Sequence, residues 1–134
     1  MSLRRQERVF AKKYAKTLLN IAEGDYKTAV VLLGGEDYRI ENAFYMAQQS
    51  IEKALKAVLV HKELPVPLIH DLGALLSKLP QNCEPPFGYE LNELNEYAAA
   101  KRYEEGNWEP SKEELKTILK KTKQMLEWSQ EMIL

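Results

Sequence analysis

The chain has a single cysteine, Cys83, among 134 residues. One thiol excludes an internal disulfide and any zinc site built from several thiolates. Its neighbours Asn82, Glu84, Pro85 and Pro86 place it in a loop, as an incidental free thiol. Histidine is nearly as scarce: His61 and His70 do not stand at a helical metal-ligand spacing, so neither a metal nor a cofactor is expected. Glycine is also sparse. The pair Gly34-Gly35 has no strand before it and no lysine after it, which excludes a phosphate-cradling loop. No sign of charge dominates, with 19 Lys and Arg against 20 Asp and Glu. A net charge of -1 argues against strong nonspecific binding to a polyanion, leaving local basic patches as the only electrostatic route to one. No apolar run approaches the length of a membrane span, and Met1-Ser2-Leu3-Arg4-Arg5 precedes no signal-peptide core, so a cytoplasmic location is the expectation. Internal repeats, low-complexity linkers and convincing strand alternation are absent as well.

What remains is helical. The length suits one domain, residues 1–134, with one core. A first helix is expected from Arg4 to Leu33, stopped by Gly34-Gly35, with Gly24 inside it at a cost of roughly 1 kcal/mol relative to alanine. A second runs from Glu36 to His61 and cannot pass Pro65 and Pro67. Leu72, Leu75, Leu76 and Leu79 form the apolar stripe of a short third helix, with Asp71 as N-cap and Pro80 as stop. Pro85-Pro86 opens a fourth, with Leu91, Leu94 and Ala98 on one face. Ser111 and Glu114 have capping-box spacing at the start of a fifth, whose core face reads Leu115, Ile118, Leu119, Thr122, Leu126 and Ile133. Five helices joined by short loops give an all-α, up-and-down bundle.

The second helix carries the most information. At about 100° per residue, Ile40, Phe44, Ala47, Ile51, Ala54, Leu55 and Val58 share a buried side. The other side holds Tyr38, Asn42, Tyr45, Gln49, Glu52, Lys53 and Lys56. A merely solvated face would be mostly Lys, Glu and Arg. Two tyrosines and two amides supply contact area and hydrogen-bonding edges, so Tyr38, Asn42, Tyr45 and Gln49 are expected at a dimer interface. Lys53 and Lys56, near Gln49 and Tyr45, make a candidate anion-contacting patch, against a plain surface pairing of Glu52 with Lys56 at i,i+4.

Two residues depart from the core pattern. Arg102 continues the Leu91, Leu94, Ala98 stripe and so needs an anionic or carbonyl partner. Asp25 sits among Leu18, Ile21, Ala22, Ala29 and Leu32 on the buried arc of the first helix. The two are expected to pair, either to fix helix register or with Arg102 turned to bind a phosphate, where Tyr103 stands beside it. His70-Asp71 brings an imidazole next to a carboxylate, although neighbours at a helix start point apart, and a structural histidine is the simpler reading. His61 ends the second helix, where the helix dipole favours a cation.

Together these segments resemble the HEPN domain family. Ala47-Gln48-Gln49-Ser50-Ile51-Glu52-Lys53-Ala54-Leu55-Lys56-Ala57-Val58-Leu59, His70-Asp71-Leu72 and Lys101-Arg102-Tyr103 follow the family's motif order, and Ala22-Glu23-Gly24-Asp25-Tyr26-Lys27-Thr28-Ala29 resembles its first-helix segment. The resemblance implies a dimerising helical bundle. It also implies, for nuclease members, an arginine, a polar residue and then a histidine, acting without metal across the dimer. Here Arg102-Tyr103-Glu104-Glu105-Gly106-Asn107-Trp108 brings no histidine, and Asn107 cannot transfer a proton at neutral pH. The version present resembles the noncatalytic branch. That branch implies a nucleotide-binding or partner-binding module, and the expectation is a homodimer that binds a nucleotide or RNA phosphate, at a site combining Arg102, Tyr103, Lys53, Lys56 and His70, or that partners a minimal nucleotidyltransferase. The alternatives are a degenerate ribonuclease of a toxin-antitoxin system, using Arg102 with His70, and a purely structural interaction protein.

Overall fold

In a computed structural model, which describes residues 7–97 and 110–134, three long helices form the bundle: α1 (Tyr14–Leu33), α2 (Ile40–His61) and α4 (Lys112–Ile133). The short α3 (Leu72–Lys78) and a 3-10 helix (Gly88–Tyr97) pack against each other and against α2. Among the described residues this makes four α-helices, because the segment after Pro85-Pro86 winds as a 3-10 helix. Ala98, Lys101, Arg102 and Tyr103 lie outside the described residues.

Each helix ends for a local reason. Gly34 closes α1, donating its backbone N–H to Val30 O at 3.2 Å. Asp71 caps α3, its Oδ1 accepting from the Gly73 and Ala74 backbone N–H groups at 2.9 and 3.4 Å. Ser111 and Glu114 form the capping box that starts α4: Ser111 Oγ accepts from Glu114 N at 3.0 Å, and Ser111 N donates back to Glu114 Oε1 at 3.4 Å.

The structure shortens two helices relative to the sequence expectation. The first starts at Tyr14 rather than Arg4, because Glu7–Arg8 pairs as β1 with β2 (Val66–Pro67) in a two-stranded antiparallel clasp, Glu7 opposite Pro67 and Arg8 opposite Val66. Two residues per strand are too few to show alternation. The second starts at Ile40, since Arg39 is in extended backbone.

At the centre, α2 packs against both α1 and α4. The fully buried Phe44, Ile51, Leu55, Val58 and Leu59 fill the core with Leu72 and Leu75 of α3 and Leu115 and Met125 of α4. Each such side chain contributes about 1.5–3 kcal/mol by leaving water. Ala22 and Ala29 of α1 and Ala43, Ala47 and Ala54 of α2 are buried small residues. They let the backbones approach until Ser50 Oγ donates to Ala22 O across the pair at 2.7 Å.

Candidate functional site

Because α2 lies between other helices, several of its polar residues are not on an outer face. Gln48, Gln49, Ser50 and Glu52 are all buried, Glu52 to 1% exposure. A carboxylate so far from water requires partners. His70, from the segment between β2 and α3, brings Nδ1 to 3.0 Å from each Glu52 oxygen, and Lys56 donates Nζ–H to Glu52 Oε2 at 3.4 Å. The i,i+4 pair expected on a solvated surface therefore exists at the wall of a cavity. His70 keeps most of its side chain in water and covers the carboxylate like a lid.

One turn earlier on α2, Lys53 donates to Asp25 Oδ2 of α1 at 2.7 Å and to Gln49 Oε1 at 3.5 Å. The sequence expectation pairs Asp25 with Arg102. Lys53 is its partner in the structure, and Arg102 lies outside the described residues. Gln49 donates in turn to Gln48 Oε1 at 2.8 Å, which forms a polar chain from Asp25 through Lys53 and Gln49 to Gln48. Gln48 Nε2 and Tyr38 Oη are buried with no hydrogen-bond partner among the described residues.

These groups open onto a pocket of about 220 Å³. Gln49, Glu52, Lys53, Lys56 and His70 form its polar side, and Phe10, Tyr14, Leu18, Val66 and Leu68 its apolar side. The clasp holds the apolar wall in place. Just beyond β1, Phe10 stacks on Tyr14 with ring centroids 5.2 Å apart, and Arg8 lies over the Phe10 ring at 4.7 Å. A larger cavity of about 560 Å³ lies between the end of α3 and the 3-10 helix, beside the buried Cys83. It gathers no comparable set of charged side chains, so the smaller pocket is the stronger candidate.

Of the residues singled out in the sequence, Lys53, Lys56, His70 and Gln49 are brought together here. Tyr38, Asn42 and Tyr45 are half-buried, and Gln49, at 7% exposure, is turned into its own protomer. Sequence reasoning missed Glu52, Phe10 and Tyr14 as parts of the site. Glu52 gave no signal, because His70, which contacts it, is distant in sequence; Phe10 and Tyr14 gave none either, since the clasp beside them is too short to read. At the other end of α2, burial and then the nearby Lys12 and Lys62 lower the His61 pKa below its ordinary 6.5, opposite to the effect expected of the helix dipole.

An all-α bundle with one polar-lined pocket over its central helix is the class defined so far. The HEPN domain model matches residues 15–132, and the chain belongs to the HEPN domain family. TT1696 from Thermus thermophilus has the same fold, with a TM-score of 0.75 at 24% sequence identity over 89% of this chain and 98% of that one. No protein of curated function matches the sequence. Among the described residues, no helix is long and apolar enough to cross a membrane, and no group of His, Cys, Asp and Glu is arranged to hold a metal ion.

Proposed function

We propose that the protein is a noncatalytic HEPN binding module whose pocket over α2 takes a nucleotide or an RNA phosphate group, and that it works as a homodimer paired with a minimal nucleotidyltransferase. The observation that carries the ligand half is the convergence of Gln49, Lys53, Lys56 and His70 on one pocket beside the stacked rings of Phe10 and Tyr14. The ammonium groups suit phosphate oxygens, and the rings suit a base or a ribose face. Both lysines are already held by carboxylates, Lys53 by Asp25 and Lys56 by Glu52. They are thereby pre-oriented at little net charge, a combination that favours one small anion over an extended polyanion. Arg102 and Tyr103 belong to the same proposed ligand set, and Tyr38, Asn42 and Tyr45 to the dimer surface. The partner rests on the family resemblance of Lys101-Arg102-Tyr103.

Titrating the purified chain with nucleoside mono-, di- and triphosphates and short RNAs tests this reading. Saturable binding that Lys53→Ala and Lys56→Ala each weaken about tenfold is expected, the size of a lost charge-assisted hydrogen bond. No saturation at millimolar ligand defeats it.

One contact favours a second reading, that of a degenerate ribonuclease. Glu52 fixes the His70 imidazole through Nδ1 and leaves Nε2 without a hydrogen-bond partner among the described residues. A carboxylate-positioned imidazole is the equipment of a general base. Cleavage of RNA that disappears in His70→Ala would support it, whereas cleavage by neither protein leaves the binding reading in place.

A further inference from the structure

A third, shallow cavity, of about 370 Å³, shares no residue with the pocket over α2 and only Phe87 with the larger cavity beside Cys83. Its sides are Pro86 and Phe87, which lead into the 3-10 helix, and Gln124, Glu127, Trp128 and Glu131 of α4. The α4 residues recur at helical spacing, so they form one stripe along the outside of the bundle. Glu127 and Glu131 are both exposed and make no ion pair among the described residues. They stand one turn apart, where like charges repel.

We propose that this cavity is a docking site for an arginine side chain presented by a protein partner. Three observations carry the proposal. First, the walls combine two aromatic rings with two carboxylates. A guanidinium plane can stack on the rings while its N–H groups donate to the carboxylates, a match that neither an anion nor an apolar side chain offers. Second, the Phe87 ring already receives a cation from within the chain: Lys121 Nζ lies 5.4 Å from its centroid and donates to Glu90 Oε1 at 3.5 Å. Cation, ring and carboxylate are thus assembled on one side of Phe87, and Trp128 with Glu127 and Glu131 repeats the ring and the carboxylates on the other element of the cavity. Third, Phe87 has a φ of 71°, a left-handed conformation that bulky residues avoid, so the fold holds this ring in place against its own backbone preference.

The test uses the full chain. In a Trp108→Phe background Trp128 is the sole indole, and its fluorescence reports on the cavity while the chain is titrated with the capped tripeptide Gly-Arg-Gly or its citrulline counterpart, which keeps the shape but lacks the charge. Calorimetry on the unsubstituted chain gives the same comparison without any variant. The expected result is a saturable change with the arginine peptide that weakens as salt is added. The citrulline peptide should bind about tenfold more weakly, as should the arginine peptide to a Glu127→Gln, Glu131→Gln chain whose circular dichroism is unchanged. The proposal is overturned if the arginine peptide gives no saturable signal at millimolar concentration, if citrulline binds as well, or if the double variant binds as tightly as the parent. The arginine-citrulline comparison decides the matter even if the variants fold poorly.

Discussion

Helices α2 and α4 are each 22 residues long and have opposite relations to water. α4 buries one stripe, from Leu115 to Ile133, and gives the rest to solvent. α2 is enclosed by α1, α3, α4 and the 3-10 helix and buries residues on more than one side, including Gln48, Gln49, Ser50 and Glu52. On α4 a charged residue is a surface residue, and its ion pairs add little to stability. On α2 the same residue type is held among packed helices, where its partners carry more of the stability.

The sharpest way to break this contrast is at the centre of α2. Phe44 has no exposed surface, and Phe44→Ala is expected to cost about 3–5 kcal/mol by transfer and cavity terms. On α4, Lys116→Ala should stay within about 0.5 kcal/mol. Urea denaturation of both variants measures the difference, and similar midpoints would abolish the distinction between the helices. Next in size is Lys53→Ala. It strands the largely buried Asp25 carboxylate, at about 1–3 kcal/mol; a loss indistinguishable from that of Lys116→Ala would mean the polar layer of α2 contributes binding chemistry and no stability.

A smaller effect, about 1 kcal/mol, is expected from Ser111→Ala, which removes the side-chain acceptor from the first turn of α4. Thermal melting checks it, and an unchanged Tm would show that the cap adds nothing to α4. The smallest effect belongs to His61 at the end of α2. Its pKa is lowered in the folded chain, so the unfolded chain binds the proton more tightly. Its contribution is complete above the ordinary histidine value and is lost as pH falls through the folded one. His61→Gln should therefore flatten part of the stability decline as pH falls below the ordinary histidine value, and an unchanged profile would show that burial near Lys12 has no thermodynamic weight.

The same contrast explains what the sequence disclosed. The α4 stripe of Leu115, Ile118, Leu119, Thr122, Leu126 and Ile133 was readable because one buried side against one wet side gives a clean 3.6-residue pattern, and all six are buried. Asp71 and the Ser111-Glu114 box were readable because caps are local chemistry. On α2 the apolar stripe was correct, but its polar side reads as an outer surface, because periodicity records where apolar residues fall and not what covers the others. Glu52 is buried by His70 and by the β2 side of the pocket, neighbours distant in sequence. The 3-10 winding after Pro85-Pro86 escaped for a related reason: Leu91 is buried under either helix type, so a burial pattern does not separate them.

The clasp between Glu7–Arg8 and Val66–Pro67 has a consequence for local opening. Two residues per strand bury little surface and hold few hydrogen bonds, so the clasp is expected to open locally more readily than the packed helices. Such opening would uncover the α2 pocket, whose wall includes Phe10 and Val66, with the helical core intact. Amide exchange at Arg8 and Val66 should run far ahead of exchange at Leu55, so that the pocket's entrance and its floor keep time on separate clocks.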